Sequence, residues 1–130
     1  MTSPATILPG LKATIDRVVY HYGGLTMPPG YPHAFVYFIT IHNNSSKCVI
    51  LQGRKWIITE FNGETTVVEG EKIVGQTPRI HPGDSWSYNS YHVTKGNAEV
   101  HGSFYGQDCS GSLIRIPVSS FSLEVPSQGS

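Results

Sequence analysis

The sequence predicts an all-β domain, an antiparallel sandwich of about seven to eight short strands. Three observations carry that expectation. Apolar and polar residues alternate along several stretches, as at Phe35, Tyr37, Ile39 and Ile41, which is the period of a half-buried strand. No window repeats apolar residues at i, i+3, i+4 and i+7 over three turns, so no helix is expected. Finally, 14 glycines and 9 prolines punctuate a chain rich in Val, Ile, Thr, Tyr and Phe, as short strands joined by many turns require. A chain of 130 residues supplies one core and one domain, with its ordered part expected over about 11–125 and fraying ends at 1–10 and 126–130.

The first strand begins at Leu11, Ala13 and Ile15 and continues through ATIDRVVYHY. GGLTMPPGYP then breaks it as an irregular loop. In HAFVYFITIHNN, Phe35, Tyr37, Ile39 and Ile41 form a core face, while Thr40 and His42 turn away. The cluster Asn43-Asn44-Ser45-Ser46 reads as a hairpin turn. In CVILQGRKWIITEF the apolar parity changes, since Val49 and Leu51 are odd but Trp56 and Ile58 are even. One inserted residue accounts for that flip, so a β-bulge or break is expected at Gly53-Arg54-Lys55, with Trp56 near the core centre.

Asn62-Gly63 signals a hairpin leading into TTVVEG. Further on, Pro82-Gly83 and Asp84 form a turn that launches a strand carrying Trp86 and Tyr88. NAEVHGSFYG places Ala98, Val100, Gly102 and Phe104 on one side, and LIRIPV and FSLEV supply the last strand, interrupted at Pro117.

Composition bounds the function. The chain carries 9 basic and 9 acidic residues, which argues against general binding to nucleic acid or an anionic membrane. No run approaches the ~18 apolar residues of a membrane span. MTSPATILPGLKA lacks the basic and apolar regions of a signal peptide, so a cytoplasmic protein is expected. Cys48 and Cys109 match no metal spacing; free thiols are the default there, and one bridge is the alternative in an oxidising compartment.

The stretch VVEGEKIVGQTPRIHPGDSWSY raises a chemical question, because Gly70 and Gly75 stand near Lys72 and Arg79. Backbone amides of a glycine-rich turn can form an anion nest, here helped by Lys72, Arg79 and Arg54, with pyrophosphate or a nucleotide as ligand. Against this, Glu69 and Glu71 flank Gly70, and no helix follows to meet a phosphate, as a dinucleotide fingerprint requires. The simpler reading is a surface connection whose glycines supply positive φ.

The series FVYFITIHNN, VILQGRKWIITEFNGE, VEGEKIVGQTPRIHPGDSWSY, GNAEVHGSFY and IRIPVSSFSL resembles the ApaG family, colinearly over about residues 11–125. The resemblance implies an immunoglobulin- or fibronectin-III-like sandwich. It also implies a module for protein contacts, with no assigned reaction and a label of cobalt and magnesium efflux. A domain without a membrane span could serve such efflux only indirectly. The loop departs from the family's glycine-x-glycine-valine-valine-glycine, since Lys72 replaces the middle glycine; Asn89-Ser90-Tyr91 likewise replaces threonine-serine-glycine.

The remaining chemistry is sparse. His21, His33, His42, His81, His92 and His101 form none of the close pairs of a metal site, although His81 with Asp84, or His42 with His101, could meet in space. The nine acids are scattered, and no nucleophile elbow is present. The expectation is a non-enzymatic interaction module with no cofactor and no metal, binding an unknown protein partner. An open edge strand would also let two copies pair as a homodimer.

Overall fold

The structure, a computed structural model, describes residues 5–23 and 27–127. Eight strands follow in order: β1 (Leu11–Tyr22), β2 (His33–Asn43), β3 (Val49–Glu60), β4 (Thr65–Glu71), β5 (Arg79–Ile80), β6 (Ser85–Thr94), β7 (Ala98–Asp108) and β8 (Leu113–Leu123). They make two antiparallel sheets. The smaller has the order β1-β2-β6, and the larger runs β4-β3-β7-β8 with β5 also paired to β3. The described residues contain no helix, as the periodicity required, and so none long and apolar enough to cross a membrane.

The inner faces of the two sheets bury one core, as sandwich packing demands. Phe35, Tyr37, Ile39 and Ile41 point into it from β2, in the predicted alternation. Trp56 lies at its centre, with ring centroids 5.5 Å from Tyr37, 5.6 Å from Phe104 and 5.7 Å from His92. Edge-to-face geometry at these spacings suits the quadrupoles of aromatic rings.

The parity flip in β3 is a bulge. The pairing with β7 shifts between Leu51 and Gly53, leaving Gln52 as the extra residue. Val49 and Leu51 before it and Trp56 and Ile58 after it all reach the core. At Asn62-Gly63 the chain makes its hairpin through a three-residue loop: Glu60 and Glu64 bond across it, and Gly63 takes a φ of 89°. The turn before β6 also forms. Asp84 N–H donates to the His81 carbonyl at 3.0 Å, and Gly83, with φ of 87°, follows Pro82 as a type II turn needs.

Four expectations are corrected. Asn43–Ser46 is not a hairpin, because β2 and β3 belong to different sheets and the chain crosses the sandwich here. The buried Asn43 side chain makes the corner: its amide donates to the carbonyls of Lys47 at 2.8 Å and Ile80 at 2.9 Å, and its oxygen accepts from Ser45. Pro117 does not interrupt the last strand. β8 is an edge strand, where a missing N–H is tolerated, and the ladder continues through Ser103 opposite Pro117. The irregularity falls instead at Ser119-Ser120, which face the single residue His101 across the ladder.

Third, Cys48 and Cys109 are joined as a disulfide. The register of β3 and β7 makes them cross-strand neighbours with Cα atoms 5.4 Å apart, a separation that a bridge spans readily. Fourth, the N-terminal segment is tied down from residue 6: Thr6 pairs in parallel with Ile114, donating to Leu113 and accepting from Arg115 at 3.0 Å each. Residues 1–4 and 128–130 of the expected fraying ends, and residues 24–26 of the expected irregular loop, lie outside the described residues.

Candidate functional site

The five candidate residues Gly70, Lys72, Gly75, Arg79 and Arg54 do not converge. Arg54 follows the bulge of β3 with the parity of Trp56, and its position opposite Gly70 on β4 sends the guanidinium across that glycine. A Cβ at Gly70 would stand 2.5 Å from Arg54 Nη1, which donates to the Glu71 carbonyl at 3.3 Å. Gly70 therefore leaves room for an arginine. Its backbone is ordinary extended strand, without the positive φ expected of the loop glycines.

Lys72 and Gly75 belong to a tight turn that closes on itself. Ile73 and Gln76 exchange N–H···O bonds of 2.8 and 2.9 Å around Val74-Gly75, and Lys72 N–H donates to the Gln52 carbonyl at 2.7 Å. The buried Ile73 pins this turn to the core. Three of the amides a nest would need are thus spent on carbonyls. Arg79, on β5, lies elsewhere along β3: its Nη1 is 3.6 Å from Cys109 Sγ and 3.9 Å from Cys48 Sγ.

The histidines are also dispersed. His42 sits on β2 and His101 on β7, in different sheets, so the suggested cross-strand pair does not form. His42 Nε2 instead lies 3.0 Å from Thr14 Oγ1, in a surface network that includes Asp16, Thr40 and Ser87. The hydroxyls of Thr40 and Thr14 hold the Asp16 carboxyl below the usual carboxylate range. His81 contributes its carbonyl to the turn at Asp84. Among the described residues no group of three or more His, Cys, Asp or Glu is arranged to hold a metal ion.

Two features stand out in place of the expected loop. One is the edge strand β6, SWSYNSYHVT, which carries no charged residue and no proline over ten residues. Among the described residues only β2 pairs with it, so its outer row of backbone groups is open. The other three sheet edges are blunted. β1 carries Lys12, Arg17 and a bulge at Asp16; β4 carries Glu69 and Glu71; β8 carries Arg115, Pro117 and its own bulge. These are the devices by which native sheets avoid unwanted pairing, and β6 lacks them.

The second feature is the outer face of the larger sheet. Cross-strand register sets Lys55 beside Ser103, Ile57 beside His101 and Tyr105 beside Arg115. Arg115 Nη1 donates to Ser103 Oγ at 3.1 Å, which draws the guanidinium toward Lys55. A hollow of about 310 Å³ lies among these side chains, and a groove of about 480 Å³ beside it shares Lys55 and Tyr105. No sequence pattern marked this cluster. Its members come from three strands and meet only through register.

Comparison with known proteins places the chain in a family. The model of the ApaG domain matches residues 27–108. Protein ApaG of Brucella anthropi is 40% identical over 93 residues, covering 71% of this chain and 72% of that protein. Protein ApaG of Methylococcus capsulatus is 34% identical over 100 residues, covering 76% and 79%. Among solved structures, an X-ray structure of a structural-genomics target superposes with a TM-score of 0.84 at 26% identity, covering 96% of this chain and 94% of that one. A Bordetella pertussis protein described as ApaA has the same fold, with a TM-score of 0.74 at 24% identity over 96% of this chain and all of that one. With the family model matching well over half of its length, the chain belongs to the ApaG family.

Proposed function

We propose that this ApaG-family chain is a non-enzymatic protein-interaction module that recruits a partner strand along β6. The observation that carries this reading is the contrast between the four sheet edges. β6 is long, uncharged and unpaired on its outer side, while each of the others is interrupted or charged. An extended peptide adding there would gain main-chain hydrogen bonds from β6, and side-chain selectivity from the exposed Asn89 and Tyr91 and the stacked pair Trp86–Tyr88. Any link to cobalt and magnesium resistance would run through the recruited partner.

The test is a comparison of proteins retained from lysate by the wild-type chain and by Asn89→Lys/Tyr91→Lys, which places charge on the edge without touching the core. The wild type retains a reproducible set that the variant loses at unchanged thermal stability. Equal retention by both would dismiss β6 as the recruiting edge.

A further inference from the structure

We propose that the outer face of the larger sheet binds a small organic phosphate monoester. Its phosphoryl group is held by Lys55, His101 and Arg115 beside Ser103, and its apolar body lies in the neighbouring groove against Tyr105. This site lies on a different sheet from β6 and does not depend on strand recruitment.

The first support is charge. Lys55 and Arg115 are half-buried, yet neither is ion-paired among the described residues, where the salt bridges are Lys47–Asp108 and Lys95–Glu64. In a chain of zero net charge, a partly desolvated arginine and lysine that share a hollow without a carboxylate partner favour an anion from solution. The nearest acid by register is Glu69, opposite Lys55 on β4; it is exposed and lines the neighbouring groove rather than the hollow.

The second support is the donor set. Arg115 is held in place by its bond to the buried Ser103 hydroxyl, which leaves the rest of its planar fork to donate. With the Lys55 ammonium, the His101 imidazole and the Tyr105 hydroxyl, this arrangement suits a tetrahedral oxyanion with several acceptor oxygens.

The third support gives the ligand its shape. The 480 Å³ groove continues from Lys55 and Tyr105 over Gly53 and Gly106 to Leu113. Its rim carries Glu69 and Glu71 with Arg54, whose Nη1 is held on the Glu71 carbonyl at 3.3 Å; two carboxylates against one guanidinium leave that end net negative and orient an anionic head toward the hollow. A phosphate alone fills only the hollow, whereas a monoester with an apolar or aromatic group fills both.

Titration by calorimetry and by amide chemical shifts at physiological ionic strength, with inorganic phosphate, phenyl phosphate and phenol as probes, tests this. Phenyl phosphate binds about tenfold or more tighter than either other probe, perturbing amides at Lys55, His101, Tyr105 and Gly106. Lys55→Ala/Arg115→Gln weakens it by a similar factor, while Lys72→Ala/Arg79→Ala, outside both the hollow and the groove, does not. Should Arg115→Gln disturb folding, Lys55→Glu alone, which leaves the Arg115–Ser103 bond intact, gives the same loss. The proposal is overturned by absence of saturable binding at millimolar probe, by inorganic phosphate binding as tightly as phenyl phosphate, or by loss of binding in Lys72→Ala/Arg79→Ala instead.

Discussion

The imidazole of His92 stacks on the ring of Tyr37, with centroids 4.8 Å apart and planes 23° from parallel. The edge of Trp56 closes the pocket at 5.7 Å, and His92 Nε2 is buried without a hydrogen-bond partner among the described residues. Removal from water disfavours the imidazolium and lowers the pKa of His92 to about 4. The unfolded chain takes up this proton near the ordinary histidine value of about 6.5, whereas the folded chain does so only near 4. Between those values the unfolded state binds more protons, so stability is full above the upper one and falls as pH drops toward the lower. The expected loss is about 3 kcal/mol. Denaturant midpoints at pH 7.5 and pH 4.5, compared between wild type and His92→Phe, check it. The wild type should lose markedly more stability than the variant, and equal losses would refute the assignment to His92.

A second prediction concerns Gly102, which pairs with Trp56 across β7 and β3. A Cβ there would overlap the Lys55 carbonyl oxygen and stand 2.8 Å from Trp56 Cε3. Neither neighbour can yield cheaply, since one is strand backbone and the other is the centre of the core. Gly102→Ala should therefore destabilise the fold by about 2–3 kcal/mol, the range for overpacked cores. The same change at Gly63, where an added Cβ meets nothing within 4 Å, would cost only the strain of its positive φ. Chemical denaturation of both variants should show the larger loss at Gly102.

The core and strand order of residues were largely legible in the sequence because both rest on period-two patterning. Phe35 to Ile41 and the parity flip around Gly53 are local signals, and local signals survive folding. Sheet membership was not legible. Asn43-Asn44-Ser45-Ser46 has the composition of a hairpin turn, and nothing in those residues says that the next strand joins the opposite sheet. The cluster of Lys55, Ser103 and Arg115 was hidden for the same reason, since its residues lie up to 60 positions apart and only the ladders of β3, β7 and β8 align them. The glycine-rich stretch is conspicuous because it is contiguous, yet its amides turn inward, its Arg79 lies beside the start of β3, and Arg54 stands apart in the middle of that strand.

Two non-glycine residues in that stretch hold positive φ, Lys72 at 68° and Val74 at 44°. Left-handed backbone costs a residue with a Cβ about 1–2 kcal/mol, and a β-branched one pays most. The turn holds this strain through the exchanged bonds of Ile73 and Gln76 and the bond from Lys72 N–H to the Gln52 carbonyl. Lys72→Gly relieves it but loosens the unfolded chain, leaving a net gain of about 0.5 kcal/mol. Val74→Asn creates an Asn-Gly pair at the two central turn positions and should gain about 1 kcal/mol. Thermal unfolding of the single variants measures both, and a lower midpoint for Val74→Asn would contradict the turn geometry.

The bridge between Cys48 and Cys109 joins residues 61 positions apart, at the ends of β3 and β7. Closing so long a loop removes conformational freedom from the unfolded chain, and bridges of this kind contribute about 2–4 kcal/mol. Here the neighbouring ladder already holds the strand ends together: Cys109 N–H donates to the Cys48 carbonyl at 2.9 Å, and Lys47 pairs with Asp108 at 3.6 Å. The folded state should therefore survive reduction with its strands in register, and only its stability should fall. Cys48→Ser/Cys109→Ser should match the reduced wild type in denaturant midpoint and fall below the oxidised form by the amount given. Arg79 adds a kinetic consequence. Its guanidinium lies beside both sulfurs and favours their thiolates once the bridge opens, so Arg79→Ala should slow alkylation of the reduced pair at neutral pH. Unchanged alkylation rates would show that the arginine does not act on the sulfurs.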